Sequence, residues 1–263
     1  MAYDVNNFLI DRVLKGVMVD SDYNVNFSIN QITNPSLNCT TETSETVDAM
    51  GATIMSFQRS KQAEFTAENS LFDLGLAAAQ FGSEKQIAST DNKIVTPIFE
   101  TIKVTTGQTK ITLKHQPIET IQVIHALKGD ETLGTKYTNS SAASATAFVH
   151  TEDSKEITVP TGLADGTRLF VIYEYEAESA VAVNNNAIDV PKTGKFIMEV
   201  LGCDVCDTTK LIHAYVVFPV AKLTGEVDFT FTNEGTHSFT ITCMQNYCDP
   251  EKRLFSIIVP DEE

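Results

Sequence analysis

Apolar and polar residues alternate with a period of two along most of this chain, and that limits it to a mainly β fold. Successive side chains of a strand point to opposite faces, whereas a helix repeats every 3.6 residues. The stretch "GEVDFTFTNEGTHSFTITCM" (225–244) shows it best. Val227, Phe229 and Phe231 alternate with Asp228, Thr230 and Thr232; "NEG" reads as a turn, and Phe239, Ile241 and Cys243 alternate with Ser238, Thr240 and Thr242. That predicts a hairpin with one apolar and one polar face. A second strand pair is predicted from "ATIMSFQRS" and "KQAEFTAEN", with Ala63, Phe65 and Ala67 facing one way and Gln62, Glu64, Thr66 and Glu68 the other. Two segments read as helical. One is 5–15; the other is "NSLFDLGLAAAQFG", with Ser70 as N-cap, Asp73 at the capping-box position and Gly82 as the stop.

The middle of the chain reads as a separate unit. Between about 107 and 177 come several short strands, the small-residue tract "TNSSAASATA", a Pro/Gly turn, and a long strand whose Leu169, Val171, Tyr173 and Tyr175 oppose Phe170, Ile172, Glu174 and Glu176. This spacing fits a small immunoglobulin-like β-sandwich inserted into a core domain made of 1–106 and 178–263, with "VNNNA" (183–187) as the return linker. At 263 residues the chain has enough length for both.

The balance of charge excludes some functions. With 35 Asp and Glu against 19 Lys and Arg the formal net charge is −16, and no basic cluster interrupts it, so sequence-reading of nucleic acid and binding to anionic membranes are not expected. The N-terminus carries Asp4 and Asp11 where a secretion signal has positive charge, and no apolar run reaches the roughly 20 residues of a membrane helix. A protein made in a cytosol is therefore expected, without membrane association. Five cysteines, an odd number, argue against a disulfide scaffold.

Chemistry-bearing motifs are few. Cys203 and Cys206 form a CxxC that Cys243 and Cys248, with His213 and His237 as alternates, would complete as a tetrahedral zinc site. Against this, the acids Asp204 and Asp207 flank the thiols where zinc ribbons carry glycine and basic residues, and Cys243 stands on the apolar side of its strand. Structural thiols are the plainer reading, the CxxC belonging to a turn between the strands "KFIMEVLG" and "KLIHAYVVFP". The histidines at 115, 125, 150, 213 and 237 are scattered, no serine sits in a GxSxG elbow, and "TGLADGT" lacks the lysine of a phosphate-binding loop. No enzyme, metal or cofactor is expected. The acids Glu64, Glu68 and Asp228, on the polar faces of their strands, would suit a solvent-facing wall or a water-filled lumen.

Two longer stretches carry a resemblance. "VDAMGATIMSFQRSKQAEFTAENSLFDLGLAAAQFGSEK" (47–85) and "LIHAYVVFPVAKLTGEVDFTFTNEGTHSFTITCMQNYCDPEKRLFSIIVP" (211–260) resemble tail tube (major tail) proteins of tailed bacteriophages, and "ITVPTGLADGTRLFVIYEYEAE" resembles an inserted β domain of virion proteins. The resemblance implies a tail-tube-like β-sandwich or barrel with one or two short helices, and a structural virion protein made in the host bacterial cytoplasm. Its copies would assemble as rings, hexameric by this resemblance, that stack into a tube in contact with other tail or neck proteins. DNA would pass during ejection without sequence-specific binding. It also implies Glu64, Glu68 and Asp228 as lumen-facing acids. The polar segment 29–51, with Asn34, Thr41 and Glu45, becomes an arm between rings. A capsid decoration or neck protein with an immunoglobulin-like domain is the alternative.

Overall fold

The computed structural model describes residue 5 and residues 7–233 and 235–261. Asp4, Glu234 of the expected turn and the side chain of Asp207 lie outside the described residues. Among the described residues, seventeen strands and one helix follow in chain order: β1 (Phe8–Val19), β2 (Val25–Ile29), β3 (Ile32–Val47), β4 (Thr53–Asn69), α1 (Leu74–Phe81), β5 (Gln86–Ile87), β6 (Ile94–Lys103), β7 (Lys110–Thr112), β8 (Val123–Leu127), β9 (Leu133–Asn139), β10 (Ala147–His150), β11 (Glu156–Thr158), β12 (Arg168–Ala177), β13 (Val181–Ala182), β14 (Thr193–Asp204), β15 (Asp207–Leu223), β16 (His237–Cys243) and β17 (Ser256–Ile258). The mainly β fold class read from the alternation is the one observed.

The chain forms two compact units, 1–85 with 183–263, and 86–182. The first is an eight-stranded sheet in the order β2-β1-β14-β15-β16-β4-β3, with β17 also paired to β15. Its core is aromatic. Phe196 lies within 5.9–6.3 Å of the rings of Phe27, Phe65, Phe218 and Phe239, and all five are at most 3 % exposed. Gly16 makes room for this cluster: a Cβ there would lie 2.8 Å from the Phe196 ring. Helix α1 belongs to this unit, burying Leu76, Ala77, Ala78, Ala79 and Gln80.

Several sequence expectations are corrected. Residues 8–15 are strand, not helix, because β14 pairs along them from Phe8 to Lys15, while β2 joins the other side of β1 from Gly16 onward. The better helix exists, but its N-cap is Asp73, whose carboxylate accepts from Leu76 N at 2.7 Å. Ser70 is still engaged with the strands, donating its backbone N–H to Gln31 O, so the helix starts later. Gly82 ends it as expected, in the left-handed region at φ 74°. The two strands expected between 52 and 69 are one, β4; Ser60 absorbs the irregularity as a bulge, with φ 21° and a register shift opposite Thr41 and Glu42. Its partner is β3, the segment expected to be an extended arm.

The expected 225–244 hairpin is half formed. β16 is present with Phe239, Ile241 and Cys243 buried, but it pairs β4 and β15, and residues 227–231 keep only an isolated bridge, Phe229 to His237. Phe229 meets its apolar demand in another way. It packs edge-on against Phe72, Phe81 and His237, with centroids 4.7–5.9 Å apart.

The second unit has its own core, including Ile111, Ile124, Phe148, Ile157, Leu169 and Val171, around a seven-stranded sheet in the order β6-β12-β8-β9-β10-β11-β7. It begins earlier than the expected residue 107, because β6 pairs with β12 over ten consecutive residues and so belongs with it. β5 and β13 pair where the chain enters and leaves this unit. Among the described residues no helix is long and apolar enough to cross a membrane.

Candidate functional site

The arm is built from β3 and β4. Both strands are rich in Thr and Ser, which suit a pleated surface without needing burial. Asp48 closes the turn: its carboxylate accepts from the backbone of Met50 and Ala52, each at 2.8 Å, and Gly51 takes φ 86°. From Ala63 to Asn69, β4 is flanked by β16 and β3. Over Thr53–Gln62 it pairs with β3 alone, and every residue there is exposed. That leaves a free ribbon of about 33 Å, at 3.3 Å per residue. A lone two-stranded ribbon is marginal in water. This one also exposes Val47 (53 %), Met50 (91 %), Ile54 (67 %), Met55 (54 %) and Phe57 (46 %). These apolar residues were not singled out in the sequence, although "ATIMSFQ" carries the signal: apolar groups fall on both faces of a strand that has no core to enter.

Of the expected inter-ring residues, Thr41 and Glu45 lie on the outer half of β3, opposite Lys61 and Ser56, and Glu45 accepts from the Thr53 hydroxyl at 3.1 Å. Asn34 sits apart from them near the start of β3, where φ is 51° and the register shifts between Thr33 and Ser36.

The expected lumen acids fall on one sheet face in part. Glu64 and Glu68 project opposite to the buried Ala63, Phe65 and Ala67. Their cross-strand partners are Thr242 and Ser238 on β16, and Asn38 and Thr33 on β3, so the two acids have hydroxyl and amide neighbours, with Lys222 beside Thr242 one strand further on. Neither acid forms an ion pair among the described residues. Asp228 is exposed but lies in a loop, not on a strand; its carbonyl accepts from the hydroxyl of Ser238, the partner of Glu68, at 3.4 Å. The same sheet ends in two edge strands, β2 and β3.

The cysteines do not converge. Cys203 pairs with Leu211 and Cys243 with Ala221, ten residues apart on β15, about 33 Å along a strand. Cys206 is in the turn after β14, where its N–H binds the Asp204 carboxylate at 2.8 Å. All five cysteines are free, and the described residues hold no cluster of three metal-ligating side chains. Burial pushes the Cys243 thiol up to about 11, helped by Cys39 and Glu64, which keeps it protonated and inert. The four-cysteine zinc site is thus not formed.

The two alternate histidine ligands have other partners. His213 Nδ1 lies 2.8 Å from Glu199. His237 is fully buried, with Nε2 2.6 Å from Gln80 Oε1, while Gln80 Nε2 donates to Ser238 O. The pairing requires the proton on Nε2, and Nδ1 has no partner. Burial depresses the His237 pKa to about 4, opposed by Asp73. The unfolded chain therefore takes up this proton first as pH falls. Stability from this group is complete above about pH 6.5, declines between 6.5 and 4, and is flat below, a span of about 3 kcal/mol. Urea titrations should show this decline, and His237→Phe should remove its share of the slope.

No curated protein matches the chain. A protein-family model does, over residues 8–252, nearly the whole length and both units. The free ribbon and the polar sheet face agree with a structural role. By that match the chain belongs to the YomU/Tube protein family and is a phage tail tube-like structural protein.

Proposed function

We propose that copies of this chain assemble into rings, hexameric as in the resemblance drawn above, that stack into the tail tube and conduct DNA during ejection. The observation that carries this reading is the β3–β4 ribbon: an ordered hairpin, exposed on both faces, with five exposed apolar residues at and near its tip. Such a ribbon gains stability when another copy covers it. The free edges β2 and β3 offer strand pairing between neighbours, which would extend the sheet around a ring. Thr41 and Glu45 then lie in the contact between rings, and Asn34 at its base. The face bearing Glu64 and Glu68, with Asp228 beside it, lines the channel; its carboxylates repel the phosphate backbone and keep DNA from adhering. The second unit is read as a small immunoglobulin-like domain. Other tail or neck proteins would meet the tube ends, and assembly would start in the host bacterial cytoplasm and finish in the virion.

Electron microscopy of the purified full chain tests this. Rings or hollow tubes are the expected result, and a monomer at high concentration that instead decorates capsids would overturn it. Reversing Glu64, Glu68 and Asp228 to lysine should leave tubes intact but slow DNA ejection from reconstituted particles severalfold. Unchanged ejection kinetics would remove the lining role.

A further inference from the structure

We propose that the second unit carries a binding pocket for a neutral saccharide, walled by the His115–Tyr175 ring stack. The pocket is a concavity of about 450 Å³, a size that holds a small ligand. Three loops and the end of β12 converge on it. It is independent of the assembly reading, since every residue that lines it belongs to the second unit.

The wall is preorganised from beneath. Glu100 is 4 % exposed and accepts from the Tyr173 hydroxyl and from Lys114 N, the latter at 3.0 Å. The same Tyr173 oxygen accepts from His115 N at 3.1 Å. A buried pair thus fixes the backbone of 114–115, and with it the imidazole that stacks on Tyr175 at 3.9 Å between centroids and 12° between planes. Ile118 N donates to Glu174 O at 2.9 Å and ties the rest of this loop to β12. A stacked pair fixed in this way presents a flat apolar surface, to which the C–H face of a pyranose is complementary.

The rim decides the ligand class. Gln116 donates to Asp153 at 3.3 Å, Lys155 donates to Lys114 O at 3.4 Å, and Lys93 bridges Glu176 and Glu178 at 3.4 and 3.3 Å. Among the lining side chains two ammonium groups, Lys93 and Lys155, are matched by two carboxylates, Asp153 and Glu176, and Glu178 just outside the lining also holds Lys93, so the pocket has no positive surplus with which to hold an anion. It does hold donors and acceptors side by side, which is what a set of sugar hydroxyls requires because each both donates and accepts.

Saturation-transfer NMR with the full chain and maltose, cellobiose, lactose and N,N′-diacetylchitobiose tests the proposal. We expect at least one to bind with a Kd of about millimolar, and Tyr175→Ala and Gln116→Ala each to weaken it about tenfold, while Tyr175→Phe retains it. Gln116 is an exposed loop residue, so its substitution tests the site without risk to the fold. No transfer to any of the four sugars at about 10 mM, or binding that survives Gln116→Ala and Tyr175→Ala, overturns the proposal. Inorganic phosphate or glycine binding more tightly than every sugar overturns the neutral-ligand assignment. None of these outcomes bears on tube formation, which microscopy reads separately.

Discussion

A chain whose residues 42–60 are replaced by Asn-Gly remains folded and fails to form tubes. Thr41 and Lys61 are register partners, so a two-residue turn between them closes a hairpin of ordinary geometry and removes the Ser60 bulge along with the outer ribbon. The deletion takes no residue from the core, whose β4 members begin at Ala63. It removes Val47, Met50, Ile54, Met55 and Phe57, the exposed apolar groups that the proposed function assigns to contact with a second copy. Thermal melting should therefore stay within a few degrees of the parent, while sedimentation shows monomers or isolated rings and microscopy shows no tubes. Tubes formed at the parental rate would mean that the ribbon is not the stacking element. A milder version, Met50→Asp with Phe57→Asp, keeps the ribbon's length and places charge where apolar contact is expected; it should slow assembly by at least about tenfold, which corresponds to roughly 1.4 kcal/mol.

Phe196→Ala destabilises the first unit by about 3–5 kcal/mol, the range for a large-to-small change at a fully buried aromatic. The side chain is 0 % exposed and touches four other phenylalanines, so its loss opens a cavity between β14, β2, β4 and β16 that rigid strands on every side are slow to fill. Urea denaturation would measure it. Phe231→Ala provides the contrast: at 86 % exposure it should change stability by no more than about 0.5 kcal/mol. If the two variants lost similar stability, the aromatic cluster would not be the centre of the fold.

These two variants also mark what was legible in the sequence. Ala63, Phe65 and Ala67 on one face, and Glu64 and Glu68 on the other, follow from alternation alone, and the structure keeps both sets where the alternation puts them. Gly82 stops the helix because a left-handed cap favours glycine wherever the helix lies. The failures share a cause. Residues 8–15 read as helix because local periodicity cannot register the ladder that β14 supplies from elsewhere in the chain. Phe229 alternates correctly for a strand, yet it packs edge-on against Phe72, Phe81 and His237 and keeps only an isolated bridge.

The candidate surface divides in the same way. The polar face of β4 was readable, since an acidic chain with period-two patterning must place its carboxylates opposite its core. The free ribbon was not, because "TETSETV" and "ATIMSFQRS" have the composition of any strand pair, and only the end of β16 at Cys243 leaves their outer halves without a further neighbour. The four cysteines were close enough in sequence to suggest a metal site; strand register put two of them about 33 Å from a third.

By itself the sequence determined which side of β16 and of the inner half of β4 turns inward, where the helix stops, and the acidic balance of the chain, since each of these depends on residues a few positions apart or on composition. Only the tertiary structure decided which strands are neighbours. β4 lies beside β16, and residues 63–69 meet residues 237–243, because a side chain's preference for the core says nothing about which backbone will satisfy its hydrogen bonds. That choice of neighbours leaves the outer half of β4 uncovered, and with it the surface that another copy would complete.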